Sequence, residues 1–116
     1  MAATPKLLRF SQLSAARQVL VRLCQSTNYG CVRGLRVKDT DPVFDPLPQV
    51  LVDVKLDADQ GPRPEVDLTD FALRDEVCRL MAQLDELQDA MIESIEVRAG
   101  IPRRVIIERR LTEAPR

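Results

Sequence analysis

The chain contains no histidine and no tryptophan. Without histidine it lacks the commonest general base, the commonest metal ligand, and the Ser-His and Cys-His nucleophile pairs. Aromatic residues are confined to Phe10, Phe44, Phe71 and Tyr29. The core must therefore be aliphatic, and the stacking platforms that hold single-stranded nucleic acid are not available. Cys24, Cys31 and Cys78 are odd in number and form no CxxC spacing. They make neither a disulfide framework nor a zinc set and are read as small buried apolar residues, with a reducing cytoplasm as the simplest setting. Gly30, Gly34, Gly61 and Gly100 are isolated, which excludes a glycine-rich phosphate loop. No apolar run approaches the ~18 residues that span a bilayer.

What is present describes a soluble α+β domain. Of 116 residues, 45% are apolar and 30% charged, a balance typical of a globular chain. The net charge of −1 conceals segregation. Residues 1–38 hold Lys6, Arg9, Arg17, Arg22, Arg33, Arg36 and Lys38 and no acid, whereas residues 39–69 hold eight acids against Lys55 and Arg63. Such asymmetry marks either a polyanion contact or internal complementarity, and the second is preferred. The acid-free, seryl first 26 residues share their composition with organelle transit peptides. The repeat described below assigns them a structural helix instead.

Leu73, Val77, Leu80, Leu84, Leu87 and Met91 recur at spacings of three and four, an apolar stripe predicting a helix over 70–91. Asp67, Thr69 or Asp70 is suited to cap it. Two strand-like runs follow, Ile95–Arg98 and Val105–Glu108, separated by a turn at 99–102. Upstream, Ser11 or Ser14 can cap a helix to about Ser26 that buries Leu13, Ala16, Leu20 and Leu23, and Asn28-Tyr29-Gly30 closes it. Val32–Val37 reads as a strand and Asp39-Thr40-Asp41-Pro42 as a turn. Phe44–Pro48 is too proline-rich for a central strand. Alternation at Val50, Val52, Val54 and Leu56 predicts a half-buried strand. The expected organisation is a flexible arm (1–9), a first α-β-β unit (11–56), a linker (57–69) and a second unit (70–111), all in one domain.

The halves overlay when shifted by sixty: Leu20 on Leu80, Val21 on Met81, Cys24 on Leu84, Val32 on Ile92, Leu35 on Ile95, Val37 on Val97 and Pro42 on Pro102. A longer first turn then reduces the shift to 55, placing Val50 on Val105 and Val52 on Ile107. One helix on a two-stranded hairpin cannot bury its apolar face alone. Two copies related by a pseudo-two-fold predict a four-stranded antiparallel sheet with both helices on one face.

Leu20, Asn28-Tyr29-Gly30-Cys31-Val32, Leu35-Arg36-Val37 and a valine-rich strand ending Lys55-Leu56 resemble the YezD-like family of small bacterial proteins. These are single helix-strand-strand units with a Tyr-Gly-Ser-Val-like entry to the first strand and a Glu-Lys-x-Arg-Leu-like end to the second. The second copy carries Met91–Val97 and Val105–Leu111 at the matching places, with Asp89-Ala90 where Tyr-Gly would stand. Phe44–Pro48 is a further departure. The resemblance implies a fold and supplies no catalytic residue.

Asp39, Asp41 and Asp45 alternate as calcium ligands do, but Pro42 and Pro46 interrupt them and no glutamate closes the loop, so they are read as turn formers. The second hairpin carries the one concentration of functional colour: Arg98, Arg103, Arg104, Arg109 and Arg110, extended by Arg36 and Lys38 if the two hairpins are neighbours. Arginines at a hairpin tip can lie against phosphates. Glu93, Glu96 and Glu108 interleave with them as cross-strand salt pairs require. No nucleophile, base and orienter can be assembled, and no metal, cofactor, small-molecule substrate or membrane is expected. The expected role is a non-enzymatic interaction or structural module that binds another protein or itself. The alternative is a nucleic-acid-binding accessory protein using the arginine-bearing hairpin.

Overall fold

The two hairpins meet through their first strands. In the computed structural model, which describes residues 8–57, 68–109 and 114, helix α1 (Ala15–Thr27) leads into β1 (Gly30–Lys38), and helix α2 (Asp75–Asp85) leads into β4 (Asp89–Arg98). β1 and β4 pair antiparallel at the centre of the sheet. β5 (Ile101–Glu108) flanks β4, while β2 (Asp41–Val43) and β3 (Gln49–Val52) both lie along the other side of β1. The expected four-stranded sheet thus has its fourth strand in two pieces, interrupted at 44–48 where Pro46 and Pro48 remove ladder donors. Both helices cover one face.

The central register is two-fold symmetric. Leu35 lies opposite Ile92, and Val32 lies opposite Ile95. A shift of sixty turns one of these pairs into the other. The corresponding burial patterns also coincide: buried, exposed, exposed, buried at Val32 to Leu35, and the same sequence with a half-buried Ser94 at Ile92 to Ile95. In β1 this irregularity falls on Gly34, whose φ is +71°. In β4 it falls on Glu93, an extra residue against β5. Each hairpin closes on two residues of positive φ, Asp39-Thr40 (49° and 69°) and Ala99-Gly100 (56° and 74°). Positive φ at both positions is what a type I′ turn requires, and its twist matches that of the strands.

The core is aliphatic. Leu20, Val21 and Cys24 of α1 and Val77, Leu80, Met81 and Leu84 of α2 bury against Val32, Leu35, Val37, Ile92, Ile95 and Val97. Phe10 and Phe71 stack at 5.0 Å between ring centroids, and the Arg22 guanidinium lies 4.5 Å from the first ring and 5.3 Å from the second. Backbone bonds from Phe10 N to Phe71 O (2.9 Å) and from Leu73 N to Leu8 O (2.8 Å) join the segments that precede the two helices.

Several expectations are corrected. α2 is shorter than the stripe: Leu73 is buried ahead of it, Leu87 follows it, and Met91 belongs to β4. Asp70 does not cap α2, whose first residue follows Arg74. Its carboxylate instead accepts from Ser11 N (2.9 Å) and Arg9 Nε (2.8 Å). Ser14 does cap α1, its Oγ accepting from Arg17 N at 3.2 Å. The strand expected over 50–56 ends at Val52, opposite Gly30 where β1 begins. One further backbone bond, from Asp53 N to Tyr29 O (2.7 Å), follows it, and the chain then turns at Leu56-Asp57. Finally, Val50 lies opposite Val32 and Ile107 lies opposite Ile92, so the late shift is 57 rather than 55. An error of two leaves every side chain on its proper face, so alternation alone could not reveal it. The arm at 1–7 and most of the linker, 58–67, lie outside the described residues.

Candidate interaction surface

Among the described residues no element covers the second face of the sheet. The ladder fixes its content, since residues directly opposite in antiparallel strands share a face. Cys31, Arg33, Arg36 and Lys38 project from β1. Met91, Ser94, Glu96 and Arg98 project from β4, and Arg104, Ile106 and Glu108 from β5. Gln49 lies beside Arg33, and Leu51 beside Cys31.

Arg33 and Arg36 are three apart, a spacing that would send them to opposite faces of a regular strand. The extra residue at Gly34 restores the phase and sets both on the open face. The same device in β4 turns Glu93 and Ser94 outward ahead of Glu96. Arg33 was missed in the hairpin-based reading for this reason. A positive-φ glycine within a strand was the available signal.

The arginine group expected at the second hairpin divides. Arg98 Nε contacts Glu96 Oε1 at 2.8 Å, and Arg104 stands opposite that same glutamate. Arg103 is displaced by the irregularity between Glu96 and Val97 and reaches the helix layer, where its Nη1 bonds Glu76 Oε2 at 2.7 Å. Arg109 is exposed beyond β5, and Arg110 lies outside the described residues. The hairpins are neighbours, but antiparallel. Arg36 is level with Met91, seven residues along β4 from Arg98, which is roughly 23 Å. These cations therefore form two groups and not one.

The group on β1 differs in its surroundings. Arg33 stands between Gln49 and Ser94, and Arg36 between Val43 and Met91, all uncharged. Among the described residues neither Arg33, Arg36 nor Lys38 has an ion-pair partner. Lys38 is opposite Asp89 at the strand end, and an open hollow of about 640 Å³ there is lined by Arg36, Lys38, Asp45, Asp89 and Glu108.

Among the described residues most of the other candidate reactive groups are occupied or enclosed. Asp41 of the aspartate-rich turn accepts from Ser14 Oγ (2.9 Å) and Arg17 Nε (3.3 Å). Burial pushes the Cys24 thiol up to about 12, which suppresses the nucleophilic thiolate. Cys78 Sγ faces the Leu73 carbonyl, and Cys31 is half-buried on the open face. Among the described residues no helix is long and apolar enough to cross a membrane. Compared with protein-family models, with curated proteins and with solved structures, the chain matches none.

Proposed function

We propose that this protein is a non-enzymatic interaction module that docks an acidic protein surface on the open face of its sheet. The observation that carries this reading is the pair Arg33 and Arg36 along β1, flanked by uncharged neighbours and continued by Lys38, which stands between Asp41 and Asp89 at the strand end. A charge held in place without an internal partner is available to an external one. Its surroundings favour a protein over a phosphate backbone. Leu51, Met91 and Ile106 place apolar surface beside the cations, which suits the mixed core and rim of a protein interface. Glu93, Glu96 and Glu108 share the face and would repel a continuous run of phosphates.

The experiment compares partners recovered from native lysate, with and without nuclease, for the natural chain and for Arg33→Glu/Arg36→Glu. Partners that survive nuclease and are lost with the double variant support the reading. Capture that depends on intact nucleic acid would replace it with the nucleic-acid alternative. In that case retention on duplex DNA falls with salt, and its log-log slope drops by about one unit for each arginine removed.

A further inference from the structure

We propose that the outer edge of β3, continued through Leu56, pairs antiparallel with the same segment of a second copy of this chain. β3 bonds to β1 on one side only, and among the described residues no strand occupies the other. The chain beyond it keeps strand chemistry: Val52-Asp53-Val54-Lys55-Leu56 alternates apolar and charged residues. Val52, Val54 and Leu56 are nevertheless 57%, 62% and 96% exposed. A row of β-formers exposed at a free edge is a template for another strand.

The backbone phase suits such pairing. Asp53 N donates to Tyr29 O at 2.7 Å, so Asp53 directs its amide toward β1. Antiparallel ladders alternate, so Val52 directs its amide to the open side, and pairing would extend that phase through Val54 to Leu56, which lies in a turn in the unpaired chain. An antiparallel pair centred on Val54 makes Val54 its own partner and sets Val52 against Leu56 of the second copy. These are the residues whose amides and carbonyls are available.

The side chains select this register and a second copy as its occupant. About the same centre Asp53 stands opposite Lys55 of the other chain, and Lys55 opposite its Asp53, giving two opposite-charge pairs on one face. Val50 lies opposite the buried Val32, so Val52, Val54 and Leu56 continue the helix-side apolar row across the junction. The contact is isologous and closes at two copies. A shift of one residue would put valine against charge, while a strand of a different protein without this alternation would leave Lys55 facing no acid. The joined sheet would present two β1 ridges on a continuous open face. The proposal does not depend on the function of that face.

The test is sedimentation equilibrium on the full chain, from micromolar to several hundred micromolar, with Asp53→Lys, Lys55→Asp and the double exchange. The natural chain is expected to dimerise. Each single variant should weaken the dimer by about tenfold, as two attractive cross-strand pairs become two repulsive ones. The double exchange should restore it. An equimolar mixture of the two single variants should form the heterodimer, since the paired lysines of one chain then meet the paired aspartates of the other. That rescue also shows that neither variant has failed to fold. A chain that stays monomeric over the whole range would overturn the proposal, as would single variants that dimerise like the natural chain or a mixture that does not rescue.

Discussion

Arg17 Nη2 lies 2.7 Å from Asp85 Oδ1, joining the first turn of α1 to the last residue of α2. The same guanidinium donates to Asp41 Oδ1 at 3.3 Å, to Thr40 O at 3.0 Å and to Met81 O at 3.5 Å. Its side chain is only 12% exposed, whereas the two carboxylates are 43% and 65% exposed. One cation therefore ties both helices to the first hairpin turn. Because solvent screens the carboxylates, the ion pairs themselves contribute little. The bonds that the largely buried guanidinium donates to the two carbonyls matter more.

Arg17→Ala should accordingly destabilise the fold by about 1–3 kcal/mol, the scale of several lost hydrogen bonds with partial exposure of their partners. Arg17→Lys keeps the charge but not the planar fork and should recover less than half of that loss. Urea melts of the two variants decide between them. An alanine variant as stable as the natural chain would mean that the helices are held by the apolar core alone.

The first hairpin turn carries a β-branched residue, Thr40, at a φ of 69°. An L-residue in the left-handed region costs roughly 1–2 kcal/mol, and glycine avoids this at some cost in unfolded-chain entropy. Thr40→Gly creates Asp-Gly, a preferred pair for a type I′ turn, and leaves the carbonyl that Arg17 uses. It should raise stability by about 1 kcal/mol. The corresponding Gly100→Ala in the second turn, at a φ of 74°, should lower stability by a similar amount. Opposite signs in paired thermal melts are the expected outcome.

These turns also show how far the fold was legible in sequence. Leu20 and Leu80, Cys24 and Leu84, and Leu35 and Ile95 were matched by periodicity, and all are buried in the two-layer core. Patterning reports which side a residue faces, and facing is conserved when helices fray or strands slip by two. It does not report length. The stripe continued through Leu87 and Met91 because an apolar residue in the connection after α2 and another on the open face of β4 happen to keep the spacing of three and four. The candidate site was less legible. Gly34 rephases β1 and brings Arg33 to the open face, and an extra residue in β5 sends Arg103 to Glu76. Single-residue irregularities invert side-chain direction while leaving composition unchanged.

Asp70 supplies a pH dependence with a definite sign. Its bond from the Arg9 side chain, reinforced by the Ser11 amide, lowers its carboxyl from 3.8 to about 2. A carboxyl depressed in the folded state stabilises it fully above the ordinary value, and that contribution is lost as pH falls through the folded one. The tie between Leu8–Phe10 and Phe71–Leu73 should therefore loosen between about pH 4 and pH 2. The Ser11 amide resonance reports it directly, and Asp70→Asn should abolish the step. A carboxyl titrating at its ordinary value, in a carbon-detected titration, would show that Arg9 does not hold it.

The symmetric register yields a last expectation, for the second half alone. Residues 68–116 contain α2, β4 and β5 but lack β1, so Ile92, Ile95 and Val97 would lose the strand beside them and α2 would lose α1. About fifty residues with half a core are marginal as a monomer. A second copy can fill the gap because β1 and β4 already exchange under the shift of sixty. Placing β4 of another fragment where β1 stood sets Ile92 against Ile95, and Val97 against Ala90, of the other copy. On the open side the same register sets Arg98 against Asp89, an opposite-charge pair made twice. The fragment should thus fold only as a homodimer through β4. Its thermal midpoint should rise with concentration, because dissociation and unfolding are coupled. Melts over a hundredfold range of concentration, run beside sedimentation equilibrium, measure this. A folded monomer whose midpoint ignores concentration would show that each half completes its own core, and the symmetry of the register would then have no bearing on how the halves fold.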